Sequence, residues 1–261
     1  MTVMLHLRYK VMSFLVLALA APGIAFAQTS LSPVSYTQAL EVSQKDSARR
    51  PLDLQLFQIA NEVRGQSRLA TLEAHPGLAA GAQAHARDMA TKGYVGYADP
   101  AGASLFDHVR VSERSALIGS FGSSIAVLEA GATAAEIHQA IQSDAANAEN
   151  LHRAFSHAGM GSYVHDGRVY VVQVFARIDG ELNEPLPLQL AQSTVLRPAL
   201  AAKAMTPVAW SLTDDKGDVL ARGNGRRLQT SSAGAVEGYL NLDVAIGNDI
   251  YTLRGPFVEL N

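Results

Sequence analysis

Apolar residues recur at three- and four-residue steps from Leu54 onward, with Leu56, Ile59, Ala60 and Val63 on one side of a helix that buries a single stripe. Gly65 is placed to take the left-handed conformation that ends this helix. Pro76 suits the first turn of a second one, where its missing N–H leaves no bond unmade. Leu78, Ala82, His85 or Ala86, and Met89 form the second stripe, and the small residues Ala79, Ala80, Gly81, Ala84 and Ala86 let another element approach closely. Gly93 closes that helix. Beyond Gly180 the period changes. Pro185, Pro187, Pro198 and Pro207 break any long helix, so 181–206 reads as a linker with an edge strand, within which LQLAQ can make one turn. Val208, Trp210 and Leu212 then alternate with Ala209 and Ser211, Asp214-Asp215-Lys216-Gly217 turns, and Val219 and Ala221 begin a return strand. Leu240, Leu242 and Val244 alternate with Asn241 and Asp243, and Gly247-Asn248-Asp249 turns into Ile250 to Leu253. The tail is predicted to be all-β.

Asn61 and Arg64 stand late in the first helix, Leu69 to Leu72 form a strand-like step, and Ala82, His85, Asp88, Met89 and Ala90 spell A-x-x-H-x-x-D-M-A. In these marks the first half of the chain resembles the CAP superfamily, also called SCP-like, in its bacterial cysteine-free branch. The resemblance continues through GYVGYADPAG at 93–102, Ile125-Ala126, a helix from Ala134 to Ser143, Asn150-Leu151 and the strand VYVVQVFA at 169–176. It covers residues 51–180 and implies an α-β-α sandwich, so the fold class is α+β. The W-x-L-x-D-x-x-G hairpin and late Y-x-L strand resemble Ig-like modules, and the alternative for this tail is a β extension packed on the first domain.

The family resemblance further implies a cleft with two histidines and acidic residues, which in some members holds a divalent metal. Here Tyr97 stands at the first histidine position, Ser123 at the glutamate, Asn147 at the second histidine and Ile141 at a frequent tryptophan, while Gln173 is retained. Serine, asparagine and a neutral phenol are poor ligands for a transition metal. They also lack a pKa near neutral pH, and Tyr97 starts from about 10. The expectation is therefore no catalytic residue, no metal and no cofactor, with Tyr97, Ser123, Asn147 and Gln173 lining a ligand cleft. Among the other histidines, His85 reads as part of the packed helix, His138 beside Glu136 as partly exposed, and His108 beside Asp107 as a surface or interdomain residue. His152 and His157 flank Phe155 at a spacing awkward for one helix face. The serines of GSFGSS at 119–124 read as a flexible loop. No G-x-S-x-G, H-E-x-x-H or G-x-x-x-x-G-K-[ST] motif occurs.

Composition points to an exported protein. Arg8 and Lys10 precede an apolar run from Val11 to Ala20, and Ala25-Phe26-Ala27 offers a signal-peptidase site. The expected organisation is a signal peptide at 1–27, a linker at 28–50, a CAP domain at 51–180, the linker and edge strand at 181–206, and a β-rich region at 207–261. Cleavage leaves no stable membrane anchor. The chain has no cysteine, so its stability must come from its core. The net charge of −3 becomes −5 without the first 27 residues, which argues against a nucleic-acid partner. Basic pairs such as Arg49-Arg50 and Arg226-Arg227 read as solvated. The function expected is a non-catalytic binding or interaction module for a small hydrophobic ligand or an envelope partner. The alternative is an extracytoplasmic hydrolase acting on peptide or cell-wall substrates.

Overall fold

A computed structural model describes residues 51–230 and 234–261. The expected signal peptide, the linker at 28–50 and Arg49-Arg50 lie outside the described residues. Five helices, α1 (Pro51–Gln66), α2 (Pro76–Lys92), α3 (Leu105–Ser112), α4 (Ala134–Gln142) and α5 (Ala145–Glu149), surround a long sheet. Its main strands are β1 (Glu73–Ala74), β2 (Ala116–Glu129), β3 (His157–His165), β4 (Arg168–Leu182), β8 (Thr206–Thr213), β9 (Val219–Asn224), β11 (Val236–Ile246) and β12 (Asp249–Leu260). They pair in the order β1-β3-β4-β2-β12-β11-β8-β9. The short strands β5 (Gln189–Leu190) and β7 (Pro198–Leu200) add to β12 and β4, while β6 (Thr194–Val195) pairs with β10 (Arg227–Leu228). No described helix is long and apolar enough to cross a membrane.

The strand period divides the core between two faces. On β4, Val171 and Phe175 pack with Leu56, Ala60, Ile137 and Ile141 of α1 and α4. Val172 and Val174 face the other way, onto Leu78, Met89, Leu105 and Val109 of α2 and α3. This is the α-β-α sandwich of an α+β protein. Gly159 and Gly161 of β3 let α2 lie against the strand, because a Cβ on either would collide with helix backbone at Ala79 or Gln83. Pro76 opens α2 and Gly93, at φ 70°, closes it by donating to the Met89 carbonyl.

Local signals failed at three places. Gly65 is an ordinary helical residue, and the left-handed position is Arg68, at φ 58°. The turn forms there because Leu69 donates to the Arg64 carbonyl while Arg64 Nε donates to Ala70 O at 2.8 Å. The strand expected at 69–72 falls at Glu73–Ala74 instead. Asn61 explains this: its amide donates to Leu72 O and accepts the Leu72 N–H, which ties Leu72 to α1 rather than to the sheet. Finally, 119–124 is no flexible loop but the middle of β2. Ser124 is fully buried opposite Gln173, and Gly122 leaves room for Asn150 and Phe155.

The C-terminal hairpins turn where the sequence indicates, between β8 and β9 and between β11 and β12. Their pairing is that of an extension: Arg254 of β12 bridges Ile118 of β2, and one sheet runs through. Leu117 and Leu182 join Trp210, Leu240, Leu242 and Leu253 in a third core. Two arginines, the buried Arg110 of α3 and the half-buried Arg114 just after it, fasten this region to the first domain. Arg110 donates to Gly255 O, Leu240 O and Asn241 Oδ1, and Arg114 to Leu186 O, Pro187 O and Phe257 O. Burial lowers both guanidinium pKa values to about 10, which leaves them charged at neutral pH.

Candidate functional site

Because β12 meets β2 at Ile118, the upper part of β2 has β4 on one side and, among the described residues, no strand on the other. Side chains take the place of the missing strand. Asn150, in a 3-10 turn after α5, donates to Ser123 O at 2.8 Å and to Ser124 Oγ at 3.2 Å. Ser124 Oγ in turn donates to Asn147 O at 3.1 Å. From the other side comes Tyr97, whose hydroxyl donates to Asn147 Oδ1 at 2.6 Å and receives the Ile125 backbone N–H. Capping an edge with polar side chains satisfies its backbone and blocks unwanted strand pairing.

The loop that delivers Tyr97 is built from its own polar residues. Asp99 Oδ1 accepts the N–H groups of Ala101 and Ala103, and Ser104 with Asp107 forms a capping box that starts α3. The Tyr97 carbonyl accepts the Leu105 N–H at 2.8 Å. The phenol is 47% exposed, so it sits at the rim of the structure.

The four cleft candidates are placed unevenly. Tyr97 and Asn147 meet directly, across 50 residues of sequence. Ser123 is next to them, but its contact to Asn150 is through its backbone carbonyl. Gln173 lies on the opposite face of the sheet from the Ser123 side chain, beneath Ser124, and is 2% exposed. Its Oε1 is buried with no hydrogen-bond partner among the described residues. Asn150 and Ser124 are the additional members of the site. Asn150-Leu151 stood out in the sequence only as a family mark, with nothing to show that its amide reaches a strand 27 residues away.

The electrostatics move these groups away from neutral titration. Burial, with Asp144 adding to it, raises the Tyr97 pKa above its ordinary value, against smaller opposing contributions from Asn147 and Ile125. His85 is fully buried in the helix packing, as its place in the stripe suggests. His108, expected at a surface or domain boundary, is instead buried against Asp99, with Nε2 3.5 Å from Oδ2, because the amphipathic α3 turns it inward beside Val109. His152 is exposed and His157 is on β3, where its ring meets His75 edge-on at 5.7 Å. Ser156 Oγ lies 2.7 Å from His157 Nδ1 but also accepts the Ile178 N–H, so it closes the end of the β3–β4 pair. Among the described residues no group of three or more His, Asp or Glu side chains is arranged to hold a metal ion.

A separate apolar groove of about 340 Å³ opens at the other end of α2, lined by Leu54, Phe57, Pro76, Ala79, Ala158 and Met160, with His75 and Gln83. The 17 residues of α2 separate it from the loop carrying Tyr97 by roughly 25 Å at 1.5 Å per residue.

A sandwich whose first helix carries Asn61 and Arg64 and whose second carries the His85–Met89 motif defines a CAP-type domain. Residues 57–175 match the family model of CAP, the cysteine-rich secretory protein family. Among solved structures, the chain is similar to an extracellular protein containing an SCP domain from Bacillus anthracis str. Ames. The identity is 23%, the match covers 49% of this chain and 40% of that one, and the TM-score is 0.43. It is also similar to an outer surface protein from Borrelia burgdorferi at 16% identity, covering 47% of this chain and 90% of that one, with a TM-score of 0.42. The chain thus spans less than half the length of the first of these structures. No curated protein matches it.

Proposed function

We propose that the protein is an exported, non-catalytic CAP module that recognises a ligand or envelope partner at the capped edge of β2, around Tyr97 and Asn147. The observation that carries this reading is the 2.6 Å hydrogen bond between them. The resemblance gives these two positions to metal-binding histidines, and here they are neutral groups that satisfy one another. Their hydroxyl, amide and carbonyl groups can orient a polar partner, while the raised Tyr97 pKa disfavours proton transfer near neutrality. Export rests on the sequence of residues 1–27.

Calorimetric titration with zinc at neutral pH tests the assignment. The natural protein is expected to give no heat of binding, and the Tyr97→His, Ser123→Glu, Asn147→His variant is expected to bind. Tight binding by the natural protein would overturn the non-catalytic reading. Tyr97→Phe alone should leave the domain folded and cost about 0.5–1.5 kcal/mol of stability, the scale of one net hydrogen bond, which urea unfolding would show.

The apolar groove favours a second reading, in which a small hydrophobic molecule binds beside α1. Its volume is within the range of small-molecule sites, and apolar walls with a few polar groups are their usual lining. Leu54 is 47% exposed, so Leu54→Asp should not disturb the core. It should weaken binding of a fluorescent anilinonaphthalene probe roughly fivefold or more, since one aliphatic contact contributes about 1 kcal/mol or above. Equal titration curves for both proteins would remove the groove as the probe's site.

A further inference from the structure

The loop between α2 and α3 is fastened to both helices by buried histidines. His85 Nε2 of α2 lies 2.8 Å from Gly96 O, and His108 Nε2 of α3 lies 3.5 Å from Asp99 Oδ2. The two rings are 5.7 Å apart, His85 is fully buried and His108 is 7% exposed. Asp99 is also the residue that folds the loop onto itself, through Ala101 and Ala103. Tyr97 lies between these two fastenings.

We propose that His85 and His108 form an acid-operated latch: their protonation frees the loop at 94–103 and withdraws Tyr97 from Asn147 and the edge of β2. The latch would regulate the recognition site proposed above and rests on that reading for its functional meaning.

The charges facing the pair come from each element packed on it. On α2, Asp88 favours the charged rings and Lys92 opposes them, and these two are themselves paired at 2.8 Å. On the loop, Asp99 favours charge, while Tyr94 meets the His85 ring edge-on at 6.0 Å and donates its hydroxyl to Asp88. On α3, His108 faces His85 as a second potential cation. Burial outweighs the Gly96 carbonyl, which favours a charged His85, and the two carboxylates. It lowers His85, and together with the neighbouring His85 it lowers His108 to about 4. His85 Nδ1 is buried without a hydrogen-bond partner among the described residues, so a proton arriving there finds no acceptor. A second proton also places two cations side by side in a poorly solvated space. In the released loop both rings would reach water and titrate near the ordinary 6.5. The docked state therefore binds fewer protons than the released one. Docking is fully favoured above pH 6.5 and is lost as pH falls from 6.5 toward 4.

With His108 alone counted, the ratio of released to docked loop should rise about 20-fold between pH 7 and pH 5. Amide hydrogen exchange on the full chain at pH 7, 6 and 5, corrected for intrinsic exchange rates, reads this at Ala101, Ala103 and Leu105. Trp210, the one tryptophan, is buried in the C-terminal core and reports global unfolding through its emission. The expected result is a loss of loop protection of about that size with unchanged Trp210 emission, reduced in His108→Asn to the remainder due to His85. Loop protection independent of pH, or lost only together with the Trp210 signal, would overturn the latch. So would an undiminished response in His108→Asn, and if that variant does not fold, the pH series on the natural protein decides alone. No ligand enters the measurement, so a failure of the latch and a failure of the site to bind anything are separate outcomes.

Discussion

Replacing Arg110 by alanine should lower stability by about 3–5 kcal/mol, enough to leave many domains largely unfolded. The guanidinium is 6% exposed and, among the described residues, has no carboxylate in hydrogen-bond contact. Its partners are Gly255 O at 2.7 Å, Leu240 O at 2.6 Å and Asn241 Oδ1 at 3.0 Å. The rings of Phe106 and Tyr239 lie 5.5 and 4.8 Å from its carbon, so cation–π attraction adds to these bonds. Alanine would remove all of this at once, leaving buried acceptors unpaired and a cavity where α3 meets the β11–β12 hairpin. Arg110→Met keeps much of the volume but not the donors, and should recover only the packing part of the loss. Urea unfolding followed by Trp210 emission separates the two variants. An alanine variant with an unchanged midpoint would mean that water replaces the guanidinium and that the arginine is not what joins the hairpin to α3.

Adding a single methyl group at Gly159 should be comparably damaging. The new Cβ would collide with the backbone of Leu78 and Ala79, and backbone in the first turn of a packed helix cannot swing aside as a side-chain tip can. Overpacking of a core ordinarily costs about 1–3 kcal/mol, and Gly159→Ala should reach or exceed the upper end. Gly65→Ala is the contrasting control. Nothing lies within 4 Å of its Cβ position, and Gly65 is an exposed helical residue, so alanine should add about 0.5–1 kcal/mol. Thermal melts of the two variants should move in opposite directions. A Gly159→Ala protein that melts with the natural one would show that α2 can lift from β3 at little cost.

These glycines also mark the boundary between local and long-range information. The stripe from Leu78 to Met89 and the left-handed Gly93 are local properties, so the second helix and its end could be read directly. Gly65 looked like Gly93 in the sequence but is helical, because the real turn is made at Arg68, where Leu69 donates to the Arg64 carbonyl and the Arg64 side chain takes Ala70 O. Asn61 and Arg64 were visible as family marks, yet their work is tertiary. Asn61 holds Leu72, and Arg64 donates to the carbonyls of Leu151, Arg153 and Phe155, about 90 residues on. Serine and glycine at 119–124 gave no strand pattern because β2 there accommodates Asn150 and Phe155, which favours small residues over β-branched ones.

By itself, the sequence determined the period of each element, the turn residues at 93, 214–217 and 247–249, the absence of cysteine, and the identity of the groups standing where the resemblance places a metal site. Those depend on residues a few positions apart, or on chemistry that does not change on folding. Only the tertiary structure decided that Tyr97 meets Asn147 while Gln173 lies buried on β4 opposite Ser124, that His108 turns inward to Asp99, and that the C-terminal hairpins extend the first sheet. Each of those outcomes depends on which buried donor finds which acceptor across 9 to 145 residues of chain, and such pairings leave no periodic trace in the sequence.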